Sequence, residues 1–222
     1  MKTKIFVTRD LGPDSNFHSM PDQFEVQGSS LIEITPVQFS DFPATDWIFF
    51  YSRHGVGHFF SQLALKLPSA TKLACIGPKT GLAIEQHGYI PSFVGDGHST
   101  NTAQGFSILA KGQSVLFPRA RRSMQSIQKL LAAGITSHDL IVYDNQSKPA
   151  VQQSEADFIV FTSPLNAQTY LANYPISPGQ TAVAMGDSTG ARLSSLGVDK
   201  FLKPDEPNEE AIVSLILNQF EQ

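Results

Sequence analysis

Small polar residues follow four short apolar runs of the sequence, and each time a segment with helical spacing comes next. The four places are directly after Tyr51, at 77–80, directly after Thr162 and at 186–189. A helix that begins at such a place presents unpaired backbone N–H groups and the positive end of its dipole. It can bind a carboxylate or phosphate without a lysine or arginine. The serines and threonines also act as N-caps that satisfy only their own helix, so both interpretations stay open.

Arginine and tyrosine side chains near two further strand ends could bind or protonate an anionic ligand. Arg119, Arg121 and Arg122 follow an apolar run. A guanidinium group binds a carboxylate through two parallel hydrogen bonds, and Arg119 is preferred because it lies nearest to the strand end. Tyr143 ends another apolar run, and its phenol could donate a proton to a departing hydroxyl group. Solvated arginines and a packed tyrosine are the alternatives.

Several other kinds of site are disfavoured. His54 and His58 share one face of a predicted helix, but no H-E-x-x-H or C-x-x-C motif supplies further metal ligands. Ser52 and Ser163 lack the G-x-S-x-G setting of hydrolases. The chain has no G-x-x-x-x-G-K-[ST] phosphate loop, and 77–81 departs from G-x-G-x-x-G. These observations argue against metal and nucleotide cofactors.

Composition and charge narrow the class of protein. Hydrophobic residues make up 41% and charged residues 16% of the 222-residue chain, as in an ordinary globular protein. The net charge of −4 argues against nucleic acid and anionic membranes as partners. The single cysteine, Cys75, lies in an apolar run, so we expect it in the core and expect a reducing compartment. With no signal-peptide pattern and no long apolar run, we expect a cytoplasmic protein.

Internal repetition predicts two related lobes. Three segments have counterparts at nearly the same separation: 4–9 with 114–119, 47–52 with 158–163, and 74–80 with 183–189. Each is a β-rich apolar run followed by helical spacing, which is typical of a parallel sheet with crossover helices. We predict helices over 80–87, 101–111, 122–133, 189–196 and 208–220, and strands near 115–117 and 139–143. The structure of 11–28 stays open because Pro13 and Pro21 interrupt any helix.

Extended and turn-forming residues mark two places where the chain could pass between lobes. The predicted connector consists of 36–37 and 144–147. The first predicted α/β domain is then discontinuous, with residues 1–35 and 148–222, and the second comprises 38–143.

The same residues, taken in order, resemble the uroporphyrinogen-III synthase family. The similar segments are 49–52, 76–80, 115–119, 142–143, 160–164, 185–189 and 207–211, which span nearly the whole chain. The resemblance implies an α/β fold with two flavodoxin-like parallel-sheet domains, joined by a two-stranded connector, and an active-site cleft between them. It implies a cyclising hydro-lyase of haem biosynthesis that closes hydroxymethylbilane with inversion of ring D and loss of water. No metal or organic cofactor is implied.

Site residues also follow from the resemblance. Tyr143 matches the family tyrosine thought to assist loss of the hydroxyl group. The predicted substrate-binding residues are Ser52, Gly77, Lys79, Thr80, Arg119, Ser163, Pro164, Gly186, Ser188 and Thr189. Asp187 stands where the family commonly has proline, and Arg53 and His54 replace smaller residues. A carboxylate at position 187 would repel an acidic substrate unless it caps its own helix.

The expected partners are hydroxymethylbilane and, transiently, hydroxymethylbilane synthase. We expect a monomer with no nucleic-acid or membrane partner. The alternative function is a two-lobed module that binds an anionic metabolite without catalysis, and a third is a nucleotide-dependent transferase, disfavoured by the missing phosphate loop. The enzyme and the binding module would use the same helix ends, so a Tyr143 side chain that faces the cleft is the feature that would distinguish them.

Overall fold

The structure is a computed structural model that describes residues 2–220. It shows a mixed α/β fold, and the chain divides into two compact units. Unit 1 holds the residues up to Glu33 together with those from Gln146 onward, and unit 2 holds Ile34–Asn145. The boundaries fall inside two strands, and these strands are neighbours in the sheet order of unit 2.

Strands and helices alternate through much of the described chain. The strands are β1 (Thr3–Val7), β2 (Phe24–Gly28), β3 (Ile32–Pro36), β4 (Trp47–Phe50), β5 (Lys72–Cys75), β6 (Phe93–Val94), β7 (Ser114–Ala120), β8 (Thr136–Ser147), β9 (Phe158–Phe161) and β10 (Thr181–Ala184). The α-helices are α1 (Arg53–Phe60), α2 (Pro78–Gln86), α3 (Ser99–Leu109), α4 (Pro164–Leu171), α5 (Asp187–Ser195) and α6 (Glu209–Leu217). None of the helices within 2–220 has the length and apolar character needed to cross a membrane.

Unit 1 is built on a four-stranded parallel sheet in the order β10-β9-β1-β2. Every residue of β9 is buried, as expected for a parallel strand covered on both faces. Successive side chains of a strand point to opposite faces. Phe6 and Ile159 therefore pack with α4 and α5, whereas Ile5 and Val160 pack with α6.

Unit 2 contains a six-stranded sheet in the order β3-β8-β7-β4-β5-β6. The β8-β7, β7-β4, β4-β5 and β5-β6 pairs are parallel. Alternate residues of β4 again serve the two faces. Ile48 and Phe50 pack with Val56 of α1 and Ile84 of α2, while Phe49 packs against Phe106 of α3.

Most predicted elements are confirmed. Helices form where the spacing predicted them near 80–87, 101–111, 189–196 and 208–220, and strands include 115–117 and 139–143. Cys75 is buried in the core, as expected. The segment left open between β1 and β2 forms only a short 3-10 turn, Asn16–Ser19, whose Phe17 side chain is buried.

The predicted helix over 122–133 is wrong. Only a 3-10 turn forms there, at Gln128–Leu130, and Gln125 adopts a positive φ of 55°. The N–H of Gln125 donates to Ser123 Oγ at 3.2 Å, and the N–H of Gln128 donates to Tyr51 Oη at 3.1 Å. Side-chain oxygens thus replace the backbone carbonyls that an α-helix would require.

Candidate active site

Ser52 sets the start of α1 in unit 2. Its Oγ accepts a hydrogen bond from the N–H of Gly55 at 3.1 Å, which makes it the N-cap of the helix. Gly55 lets the helix approach β7, because a Cβ added there would lie 3.1 Å from the carbonyl oxygen of Pro118. The close approach places the capping serine beside the edge formed by the carboxyl ends of the strands.

Tyr143 of β8 meets this helix start. Its Oη shares a hydrogen bond of 3.0 Å with Ser52 Oγ, and the residue is 7% exposed. Burial raises the pKa of the Tyr143 phenol, and the hydrogen bond to Ser52 acts in the opposite direction. Two predicted site residues, one with a hydroxyl and one with a phenol, are therefore in direct contact although they lie 91 positions apart in the sequence.

Two histidines of α1 also contact Tyr143. The imidazole of His58 stacks on the phenol ring with centroids 5.4 Å apart and planes 23° apart. The ring of His54 lies at 6.1 Å and is tilted by 52°. Sequence analysis predicted that the two histidines share a helix face but missed what that face contacts. Spacing within a helix carries no information about a strand much later in the chain.

The start of α2 is built differently from that of α1. Gly77 is the N-cap and supplies no side-chain hydrogen bond, and Pro78 stands in the first turn. Gly77 is packed against Gly97, whose Cα would lie 3.2 Å from an added Cβ. Lys79 is exposed, whereas Thr80 is buried. This helix start therefore presents backbone N–H groups and an exposed positive charge, which suits a carboxylate.

Unit 1 repeats both kinds of helix start. Ser163 caps α4 by accepting from the N–H of Asn166 at 3.2 Å, and its φ and ψ of −158° and 159° match the −159° and 160° of Ser52. Pro164 follows as the first helical residue. Gly186 caps α5 without a side-chain bond, as Gly77 does for α2. The repetition seen in the sequence is thus repeated in backbone geometry.

The first turn of α5 carries the residues that follow Gly186. Asp187 and Ser188 are exposed, whereas Thr189 is buried. Asp187 does not cap its own helix, because Gly186 holds the cap position. Its carboxylate instead forms an ion pair with Lys203, which offsets its negative charge.

Ser188 stands in a G-x-S-x-G pattern, 186–190, that the analysis of motifs overlooked. In hydrolases the serine of this pattern sits on a strained strand-to-helix turn. Ser188 follows β10 but does not adopt a positive φ, since Gln125 is the only non-glycine residue within 2–220 that does. The serine therefore lies in an ordinary first helical turn.

Arg119 is held by an acidic partner within unit 2. Its Nε and Nη2 donate to the two carboxylate oxygens of Asp139 at 2.7 and 2.8 Å, and its side chain is 11% exposed. Gln125 and Gln128 donate to the same carboxylate at 3.0 Å. The guanidinium holds the pKa of Asp139 below its usual value. Arg9, its counterpart in the repeat, is likewise paired with Glu209.

The predicted residues share a topological position. Most lie where a parallel strand ends and a helix begins, which is the edge at which open α/β sheets bind ligands. Among these residues a side-chain hydrogen bond joins Ser52 to Tyr143. Within their own helix starts, the N–H of Thr80 donates to the carbonyl of Gly77 at 3.0 Å and the N–H of Thr189 to that of Gly186 at 3.1 Å. Within the described residues no group of three or more His, Cys, Asp or Glu side chains is arranged to hold a metal ion.

Comparison with known proteins identifies the family. The sequence matches the family model described as uroporphyrinogen-III synthase HemD over residues 23–214. The chain belongs to the uroporphyrinogen-III synthase family. Members of this family are cyclising lyases of haem biosynthesis, so the family places the chain in tetrapyrrole biosynthesis. A comparison with curated proteins finds no significant match.

Solved structures show the same fold. A uroporphyrinogen-III synthetase from Helicobacter pylori is 19% identical, with a TM-score of 0.77 over 99% of this chain and 100% of that one. A mutant uroporphyrinogen III synthase from Thermus thermophilus is 16% identical, with a TM-score of 0.60 over 99% of this chain and 98% of that one. Among uroporphyrinogen-III synthases the mixed α/β architecture with parallel sheets is therefore shared despite low identity.

Proposed function

We propose that this member of the uroporphyrinogen-III synthase family closes hydroxymethylbilane with inversion of ring D, using Tyr143 as the proton donor. The observation that carries the proposal is the contact between Tyr143 Oη and Ser52 Oγ at 3.0 Å. It holds a phenol at the start of α1, where the sheet of unit 2 presents its carboxyl ends. A phenol so fixed can meet a leaving hydroxyl group in a defined direction.

Proton balance assigns Tyr143 two tasks in the reaction. The C–O bond of the substrate's hydroxymethyl group breaks, the electron pair stays with oxygen, and the proton of Tyr143 makes water the leaving group. The cation that remains is attacked by the substituted carbon of ring D, which gives a spiro intermediate. The bond from that carbon to its methylene bridge then breaks and leaves a second cation on the neighbouring ring. The unsubstituted carbon of the inverted ring D attacks this second cation and closes the macrocycle. That carbon then loses its proton, and the Tyr143 phenolate takes it back. The net change is the loss of one water molecule.

The environment of Tyr143 favours the proton-bearing form before reaction. Burial raises the pKa of the phenol above its usual value, so the proton is in place near neutral pH. The hydrogen bond from Ser52 stabilises the phenolate that forms when the proton leaves. Ser52 therefore assists the step without giving up a proton itself.

We propose that the substrate's carboxylates bind at the remaining helix starts. In unit 2 the proposed binding residues are Gly77, Lys79 and Thr80, and in unit 1 they are Ser163, Pro164, Gly186, Ser188 and Thr189. The uncapped starts of α2 and α5 support this, because their dipoles and backbone N–H groups attract negative charge. Nη1 of Arg119 donates to the carbonyls of Ala120 and Arg121, and Nε and Nη2 donate to Asp139, so Arg119 is proposed to contribute through its remaining Nη2 hydrogen.

Substitution of Asp187 tests whether a substrate carboxylate binds at the start of α5. The carboxylate of Asp187 is 92% exposed in the first turn of α5, and the ion pair with Lys203 offsets only part of the negative charge that opposes the approach of an anion. Asp187→Asn should therefore lower KM while leaving kcat unchanged, and Glu210→Gln, a charge removal in the first turn of α6, is the matched control. Equal KM values for Asp187→Asn and the parent would exclude substrate carboxylates from this helix start.

Finer features of the family are proposed for this chain as well. We propose that the two units are flavodoxin-like domains, with 36–37 and 144–147 as a two-stranded connector and the substrate bound in a cleft between domains. We propose a cytoplasmic monomer that receives hydroxymethylbilane in a transient contact with hydroxymethylbilane synthase. The family resemblance and the single cysteine support these proposals. Substitutions at Thr80 and at Thr189 should both raise KM if both units bind substrate.

Tyr143→Phe tests the catalytic assignment. The variant keeps the ring but removes the proton donor, so kcat should fall by about 10²–10⁴-fold while KM changes little. Tyr174→Phe is a matched control, because it removes a phenol that donates to the carbonyl of Val151 in unit 1. The assay couples the protein to hydroxymethylbilane synthase and separates type I from type III isomers after oxidation. Unchanged turnover in Tyr143→Phe would remove Tyr143 from the mechanism.

A further inference from the structure

A single helix holds Tyr143 from two directions. Ser52, the N-cap of α1, shares a hydrogen bond with the phenol oxygen at 3.0 Å. His58, in the last turn of the same helix, stacks on the phenol ring at a centroid distance of 5.4 Å. His54 lies one turn earlier and approaches the ring at 6.1 Å. The helix therefore fixes the direction of the oxygen and the plane of the ring at once.

We infer that His58 is a positioning residue for Tyr143 and that its protonated imidazole makes the phenol a better proton donor to the departing hydroxyl group. The inference deepens the proposed function and rests on it. A cation within about 6 Å of an aromatic ring interacts favourably with the ring electrons. The interaction strengthens when the phenol loses its proton, because the ring system then carries a full negative charge.

Charges and burial around His54 and His58 affect how readily each imidazole takes a proton. The pKa of His54 is below its usual value, first because of burial and then because Arg53 and His58 add positive charge. Two imidazoles this close to one ring oppose each other's protonation. His54 is therefore the poorer carrier of the charge, and the inference concerns His58, whose ring also lies nearly parallel to the phenol.

Several other titratable and charged groups lie on the elements that carry or neighbour His58 and Tyr143. On α1 they are Arg53 and His54. Arg121, just after β7, forms an ion pair with Asp144 of β8, and β5 carries the buried thiol of Cys75. Burial raises the pKa of the thiol to about 11, so it stays neutral where imidazoles titrate. A substrate with several carboxylates would add negative charge and favour protonated His58.

The inference predicts a pH dependence with a definite sign. The rate of turnover should fall as the pH rises through the range in which imidazoles lose their proton, about 5 to 8. His58→Phe keeps an aromatic ring for stacking but cannot take a proton. Its kcat should be about tenfold lower than that of the parent at low pH, and the pH dependence assigned to His58 should be absent.

His87 provides a matched control. Its imidazole stacks on Phe60 at 4.9 Å and 21°, in the same unit but away from the Tyr143 ring contacts. His87→Phe should therefore keep the parent's kcat and its pH profile. His58→Gln, which removes both the ring and the charge, is a second variant should His58→Phe fail to fold, and it should also lose the pH dependence.

A measurement independent of activity separates this inference from the proposed function. The ring carbons of tyrosine are labelled with ¹³C, and the Cζ signal of Tyr143 is assigned by its absence in Tyr143→Phe. In the parent this signal should shift between pH 5 and 8 with the same midpoint as the His58 imidazole. The shift should be absent in His58→Phe and present in His87→Phe.

Each outcome decides something different. The inference would be overturned if the Cζ signal of Tyr143 did not shift as the His58 imidazole titrates. It would also be overturned if His58→Phe kept the parent's kcat and pH profile. A parent protein that yields only the type I isomer would instead contradict the proposed function. The two failures can be told apart, because the NMR measurement on Tyr143 needs no substrate. Coupled signals together with the lost pH dependence would establish His58 as a positioning residue.

Discussion

Gly55 and Gly57 of α1 should respond in opposite directions to substitution by alanine. Replacing glycine by alanine inside a helix favours folding by about 0.5–1 kcal/mol. Nothing lies within 4 Å of a Cβ added at Gly57, so Gly57→Ala should gain that amount. At Gly55 the added Cβ would lie 3.1 Å from the carbonyl oxygen of Pro118 and 3.6 Å from Ser52 Oγ.

The loss of stability expected for Gly55→Ala follows from how close the β7 backbone lies to Gly55. Because the carbonyl belongs to β7, it cannot rotate aside as a flexible side chain would. Overpacking of this kind costs about 1–3 kcal/mol, which exceeds the gain in helix propensity. The free energy of unfolding of Gly55→Ala should therefore be about 1–3 kcal/mol below that of Gly57→Ala. Urea unfolding monitored by circular dichroism measures the difference.

Activity provides a second readout for the same pair of variants. A helix displaced from β7 would carry Ser52 and His58 away from Tyr143, so Gly55→Ala should also lose kcat. Gly57→Ala should keep it. If both variants were equally stable and equally active, close contact between α1 and β7 would not be what positions Tyr143.

Two further predictions concern hydrogen bonds and ion pairs. Ser52→Ala should lower the free energy of unfolding by about 1–2 kcal/mol, because it removes a helix cap and the bond to Tyr143. In a Tyr143→Phe background, where only the cap remains to be lost, the same substitution should cost about 1 kcal/mol; equal losses in the two backgrounds, measured by urea unfolding, would argue against the Tyr143 bond. Arg119 lowers the pKa of Asp139, so this pair stabilises above the unfolded pKa of about 3.9 and loses its effect as the pH falls through the lower folded value. The stability difference between the parent and Asp139→Asn should therefore shrink below pH 4, and a constant difference would contradict this.

Local signals in the sequence predicted much of the fold. Apolar runs such as 158–161 form buried parallel strands because both faces of the sheet are covered. Glycines just after α2 and α5, at Gly88 and Gly197, have positive φ, as expected where a helix ends. The helix predicted over 122–133 failed because its backbone N–H groups found side-chain partners, among them Tyr51, that lie far away in sequence.

The candidate site was less predictable than the fold. Helix starts follow from neighbouring residues, so Ser52 and Ser163 could be identified as caps. The partner of a side chain depends on strand order, and β8 lies two strands away from β4 in the sheet. For that reason the sequence indicated neither the stacking of His58 on Tyr143 nor the ion pair between Arg119 and Asp139.

The isomer ratio of the product tests the central claim most directly. Purified protein is coupled to hydroxymethylbilane synthase, and the products are oxidised to porphyrins and separated into type I and type III. Type I forms spontaneously from the open tetrapyrrole. Predominantly type III product, lost in Tyr143→Phe but kept in Tyr174→Phe, is the predicted result. Only type I product from folded protein would contradict the proposed activity.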